Sequence, residues 1–312
     1  LPPSNGSHDD DDTWETGAVM QMPVFSRLST YALALGAMSM LGTLLAGAGT
    51  ALAENIGQPT PWALGLQPAA TPVMDDIAKF HFGLMVIITV IVAFVLILLL
   101  TVMIRFNARA NPTPSRRTHN ALIEVIWTIA PVIILVAIAV PSFRLLFVQL
   151  DVPKPDVTVK ATGHQWEWSY NYPDNGDFEF ISQIVEEKDL KPGQPRLLTV
   201  DNEMVVPVNK VVHVLVTGAD VIHSFAVPSF GIKIDAVPGR LNDTWFKATA
   251  EGRYYGQCSE LCGKDHAFMP ITVRVVNDAE FASWIETQKK NAGLDGAPPT
   301  TLAAAGATKN SR

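Results

Sequence analysis

The chain has 312 residues, 48% hydrophobic and 17% charged, with two cysteines and a formal net charge of −7. That composition excludes an intrinsically disordered chain and a disulfide-rich scaffold. A pI near 5.5 argues against a protein that grips nucleic acid through its phosphates, and a mean hydropathy of +0.21 implies segments not made for water.

Residues 1–21 carry the acid run Asp9–Asp12 and read as a disordered leader without a role. Met22 opens a different pattern. Arg27 precedes an Ala/Leu/Gly-rich apolar stretch from Tyr31 to Gly49, and Ala51-Leu52-Ala53 stands before Glu54. A basic start, an apolar middle and an A-x-A end predict a secretory signal peptide over 22–53. The rival reading is a third membrane span.

Two long apolar runs follow. Phe82–Ile104 has 23 residues without a charge, and Val125–Phe143 has 19 between Glu124 and Arg144. A span needs ~20 apolar residues, so both qualify. They predict a transmembrane hairpin over 79–145, with spans at about 80–105 and 122–145. Pro131 and Pro141 should bend or shift the second. The connector holds Arg105, Arg109, Arg116 and Arg117, with no acid before Glu124. The positive-inside rule places this loop in the cytoplasm. The expectation is a two-pass inner-membrane protein with its N- and C-terminal regions periplasmic, in agreement with a signal peptide.

From about Asp151 the texture becomes β-rich. Short runs recur at Val157–Ala161, Phe178–Ile184, Leu197–Val200, Val211–Val216, Trp245–Ala248 and Ile271–Val276. Gly, Pro, Asn and Asp separate them, which predicts an antiparallel sandwich or barrel. Val211–Val216 is apolar on both faces and should be buried on both. Asp278–Lys290 predicts a short helix with Asp278 as its N-cap and a Phe281/Trp284/Ile285 stripe. The domain should occupy 151–290, and the Ala/Gly/Pro/Thr-rich 291–312 should be a flexible tail.

The chemistry concentrates in one segment. Cys258, Cys262, His266 and Met269 fall within twelve residues, and His223 supplies a second imidazole upstream. Thiolate, thioether and imidazole together select copper, zinc or iron–sulfur. Four readings stay open on residue types alone. A tetrahedral zinc site would use both cysteines and both histidines and leave Met269 idle. Blue copper would leave one cysteine idle. A plain disulfide suits an oxidising compartment. A dinuclear copper centre uses every group: two bridging thiolates, one His on each ion, Met269 as a weak axial ligand, and a backbone carbonyl on the other ion.

The motifs Tyr255-Gly-Gln-Cys258-Ser-Glu260-Leu-Cys262-Gly, His266-Ala-Phe-Met269-Pro270, His164-Gln-Trp166-Glu167-Trp168-Ser-Tyr170, Asp220-Val-Ile-His223-Ser224 and Asp235-Ala-Val-Pro-Gly-Arg240 resemble subunit II of the haem–copper cytochrome c oxidases. The resemblance runs from about residue 70 to 290. It implies a membrane-anchored all-β protein: a two-helix transmembrane hairpin followed by a cupredoxin-like Greek-key β-sandwich carrying dinuclear copper A. It implies Cys258 and Cys262 as bridging thiolates, His223 and His266 as terminal ligands, and Met269 and the Glu260 carbonyl as axial ligands. The Glu260 side chain would help bind a magnesium ion shared with subunit I. Trp166 would receive electrons, although Trp168 has the same strand parity and either could be a core residue. Glu124 would open a proton path into subunit I, or simply favour a helix N-terminus. Asp235 and Arg240 would lie against subunit I near its haem, or form a turn with a surface ion pair. The quinol-oxidising relatives lack the copper ligands, all of which are present here.

The implied partners are cytochrome c, subunits I and III, and membrane lipid. The implied activity passes single electrons from cytochrome c to haem a, where oxygen is reduced to water and protons are pumped. From Asp151 to Asp235 there are 13 acids against seven Lys and Arg, and an acidic face would steer a basic donor. Two residues depart from the family pattern: Glu167 stands where Tyr is common, and Phe225 where Trp is common. The rival functions are the copper A domain of another respiratory reductase such as nitrous oxide reductase, a membrane-anchored copper-delivery protein, and a zinc-stapled receptor. The paired spans count against the first, and the Trp motif is superfluous for the second.

Overall fold

The computed structural model describes residues 57–294. The expected leader and signal peptide, and the chain beyond 294, lie outside the described residues.

Two helices open it, α1 (Pro72–Arg105) and α2 (Ala121–Leu150). Thr71 caps α1: its hydroxyl oxygen accepts from Met74 N, and Pro72 supplies a first-turn residue that needs no donor. Asn120 caps α2 by accepting from Leu122 N and Ile123 N, and Glu124 Oε1 accepts in return from Asn120 N at 3.2 Å. Both helices overrun their apolar cores, because capping residues and not the last apolar side chain set their ends. The apolar windows have mean hydropathy of 3.3 and 2.6, and no residue in either is buried. Helices apolar on every side and long enough to cross ~30 Å of hydrocarbon are built for lipid and partner helices. The helix α2 runs through Pro131 and Pro141 without interruption.

Ten strands follow: β1 (Val157–His164), β2 (Glu167–Tyr172), β3 (Phe178–Ser182), β4 (Met204–Pro207), β5 (Val212–Gly218), β6 (His223–Val227), β7 (Ile232–Ala236), β8 (Asn242–Phe246), β9 (Gly252–Gln257) and β10 (Pro270–Val276). One sheet has the order β3-β2-β1-β5-β8, a second β4-β10-β9, and β6-β7 form a ribbon. The pairing is mixed, unlike the antiparallel expectation: β1–β5 and β4–β10 run parallel. Parallel neighbours need a long crossover, which turn residues alone do not reveal. The sandwich core gathers Val159 and Ala161 of β1, Trp168, Tyr170 and Tyr172 of β2, Val212, Val214 and Val216 of β5, and Ile271, Val273 and Val275 of β10.

Local expectations were corrected in four places. Leu197–Val200 is no strand; only an isolated bridge joins Val200 to Ile184, and Leu197 has φ of +64°. Strands β2, β4, β6, β7 and β9 form outside the six expected runs; Ser, Lys, Gly or Arg interrupts the apolar pattern of β6, β7 and β9. On β5, only the face of Val212, Val214 and Val216 is fully buried; His213 on the other face pairs with Asp243 of β8 at 3.1 Å. The last helix, α3 (Asp278–Asn291), is capped by Asn277, whose side chain accepts from Glu280 N. It takes the first residue of the expected tail into its last turn. Trp284 of α3 stands edge-on to Tyr172 at 5.1 Å and so fastens the helix to the first sheet.

The hairpin and the sandwich meet at two points. Thr71 Oγ1 donates to Phe230 O at 2.8 Å, beside the Ala70 N to Ser229 O bond. Trp245 Nε1 of β8 donates to Val148 O of α2 at 3.2 Å.

Candidate metal centre

His223 begins β6, and the other donors lie on the loop between β9 and β10. The loop is anchored to β6 by the Ser259 N to Ser224 O bond at 3.0 Å. A 3-10 turn, His266–Phe268, returns the chain so that Met269 points inward just before β10. The His223 ring packs against the end of β1, where Gly163 leaves room: a Cβ there would sit 2.8 Å from His223 Cγ.

His223, Cys258 and Cys262 are all buried, with ligand atoms within 4.8 Å of one another. The two Sγ atoms are 3.9 Å apart and both thiols are free. A disulfide requires ~2.05 Å. Two sulfurs each ~2.3 Å from one ion at a tetrahedral angle stand about 3.8 Å apart, which the pair matches. Cys258 Sγ lies 3.9 Å from His223 Nδ1 and 3.3 Å from Glu260 O. Cys262 Sγ lies 3.4 Å from His266 Nδ1 and 3.5 Å from Met269 Sδ. Each sulfur therefore has its own imidazole. His266 is outside the mutually close group of three, so the two imidazoles do not converge on one tetrahedral point.

The electrostatics suit a cation. Burial pushes the Cys258 thiol up, but hydrogen bonds from His223 and from the loop backbone outweigh it and bring it down. Burial and the neighbouring Cys258 charge push Cys262 up. Burial lowers and the Cys258 and Asp220 contacts raise His223, with a net upward shift.

Asp220 is the supporting residue that residue-type reasoning did not single out. Its Oδ1 lies 2.9 Å from His223 Nε2, leaving Nδ1 turned toward the sulfurs, and its Oδ2 accepts from Gln165 N at 2.8 Å. A carboxylate on the far ring nitrogen is the usual device for orienting a metal-bound histidine.

The two tryptophans separate. Trp168 is fully buried, 6.1 Å edge-on from His223, and 5.4 Å from Phe225, which fills the core in place of a larger ring. Trp166 is half-buried in the β1–β2 turn, and its Nε1 donates to Cys262 O at 3.3 Å. Glu167 accepts from Gln183 Nε2. Of the other expected site residues, Glu260 has an exposed side chain, with only its carbonyl turned to the sulfurs. Glu124 lies at the far end of the hairpin in a helix cap. Asp235 and Arg240 are exposed, and among the described residues they form no ion pair. Asp235 instead uses its carbonyl, accepting from Asn242 Nδ2 at 2.6 Å.

The family model described as cytochrome c oxidase subunit II, periplasmic domain, matches residues 157–276, and that for the subunit II transmembrane domain matches 59–145. The chain belongs to the cytochrome c oxidase subunit II family. A probable cytochrome c oxidase subunit 2 of Rickettsia bellii is 54% identical over 233 residues, covering 75% of this chain and 87% of that protein. Cytochrome c oxidase subunit 2 of Cereibacter sphaeroides is 47% identical over 270 residues, covering 81% and 89%. The crystal structure of the periplasmic domain of subunit II from Bradyrhizobium japonicum is 70% identical, covers 45% of this chain and 99% of that one, and has a TM-score of 0.43. As a subunit II, the chain is one part of an oxidoreductase, anchored by two spans, with a His/Cys/Cys group able to bind metal.

Proposed function

We propose that this chain brings single electrons from cytochrome c to haem a of subunit I, through copper A held by His223, Cys258, Glu260 O, Cys262, His266 and Met269. The observation that carries the reading is the pair of buried sulfurs 3.9 Å apart, each with its own imidazole. The donor set fits two copper ions: soft thiolates and thioether, borderline imidazoles, and a carbonyl. When bound, the pair supplies a one-electron store that changes charge by one unit spread over both ions.

The residues do the rest. The β-sandwich holds the ligands rigidly, and Trp168, Phe225 and Met269 keep water from the sulfurs. Asp220 fixes the His223 ring. Trp166 provides a half-buried ring, joined through one hydrogen bond to the Cys262 backbone, as the contact for the donor. The sandwich lies on the outer side of the inner membrane and the arginine-rich connector inside, after removal of residues 22–53 as a signal peptide. Glu260 contributes its carboxylate to a magnesium shared with subunit I, Asp235 and Arg240 face subunit I near its haem, and subunit III completes the assembly that pumps protons.

Copper analysis with electron paramagnetic resonance on the purified oxidase tests this. Two coppers and a seven-line mixed-valence signal from this subunit support it. Zinc, or a single-copper four-line pattern, overturns it.

A further inference from the structure

Lys264 follows Cys262-Gly263 on the metal loop and covers Trp166. Gly263 has φ of +128°, and a Cβ there would come 2.9 Å from Trp166 Cζ2, so the loop passes hard against the indole. Lys264 Nζ then sits 5.6 Å from the ring centroid, in the range of a cation–π contact. The side chain is 78% exposed, so this charge faces outward.

Several acids near it are engaged, while the exposed Glu260 carboxylate on the same loop has no side-chain partner among the described residues. Asp265 stands 3.6 Å from Lys264, Asp220 holds His223 and the Gln165 amide, and Glu167 is bonded to Gln183. Of the other acids between Asp151 and Asp235, Asp174 accepts from Thr158 N at the start of β1, and Asp177 accepts from Asn171 beside Phe178. Both lie at the end of the β1–β2 pair opposite Trp166. Glu186 and Glu187 pair with Lys188 and Arg196. The charge seated over the ring itself is that of Lys264, with Asp265 beside it.

We propose that Lys264 is a specificity-determining residue for the electron donor, resting on the reading of Trp166 as its contact. A cation at the centre of a docking footprint is desolvated with the interface, so like charge opposite it is costly. Lys264 favours a one-electron protein that is basic at its rim but uncharged or acidic where it meets the indole. It penalises donors with a lysine at that point.

The test uses the intact purified oxidase and a strongly basic cytochrome c. Lys264→Glu lowers KM about two- to five-fold at low ionic strength, moves kcat less, and steepens the salt dependence. Lys264→Ala shifts KM the same way by less, and Lys264→Arg restores it. Unmoved KM and salt slope in both the Ala and Glu variants overturn the proposal. So does loss of the copper signal in Lys264→Ala, since the residue would then serve the loop. Trp166→Phe is measured alongside. If it leaves the rate unchanged, the reading beneath fails. If it slows the rate while Lys264→Glu does not move KM, only this proposal fails.

Discussion

Trp166 Nε1 donates to the carbonyl of Cys262, joining a half-buried ring to the backbone of a candidate metal ligand 96 positions away. Trp166→Phe keeps the aromatic bulk but loses that donor. We expect slower reduction by cytochrome c, with the copper spectrum unchanged. Stopped-flow reduction kinetics check this, and a wild-type rate would refute it.

Asp220→Asn retains the size of the side chain but removes the charge that orients His223. Comparable supporting-residue changes cost about 10- to 100-fold in metal affinity. We expect copper to be lost at lower chelator concentration, with the β-sandwich intact by circular dichroism. Retention equal to wild type would show that His223 is oriented by burial alone.

Gly163→Ala places a methyl 2.8 Å from the buried His223 ring. The crowding should cost about 1–3 kcal/mol of domain stability and weaken copper retention together. Denaturant unfolding and copper titration measure both. A stability loss without a copper effect would mean that β1 moves instead of His223.

Glu124 has two separable roles. Glu124→Gln keeps an acceptor for the Asn120 amide, while Glu124→Ala removes both acceptor and proton-binding group. If Glu124 opens a proton path, both variants slow turnover. If it serves only the cap, Gln behaves as wild type, and haem-reduction kinetics distinguish the outcomes.

Trp284→Ala removes the ring that ties α3 to Tyr172, Phe178 and Phe180. The half-buried ring should be worth about 2–4 kcal/mol. We expect a lower denaturation midpoint and no change in the copper signal, because α3 packs on the sheet away from the metal loop.

The hairpin, the β class of the domain and a group able to hold a metal are legible in the chain, because each rests on local pattern. Apolar length declares a membrane span, period-two runs and turn residues declare strands, and soft ligands crowded into one loop declare a metal. Three matters depend on contacts between distant segments. Strand parity treated Trp166 and Trp168 as alike. The β1–β2 turn breaks that parity, sending Trp168 into the core and leaving Trp166 on the metal loop. The acids between Asp151 and Asp235 were counted as one face, yet the antiparallel pairing of β2 and β3 carries Asp174 and Asp177 to the opposite end from Trp166. Two scarce cysteines were compatible with a disulfide, zinc or copper. Only the sandwich, by seating His223 from β6 beside Cys258 and leaving His266 to Cys262, set two free sulfurs 3.9 Å apart with an imidazole at each.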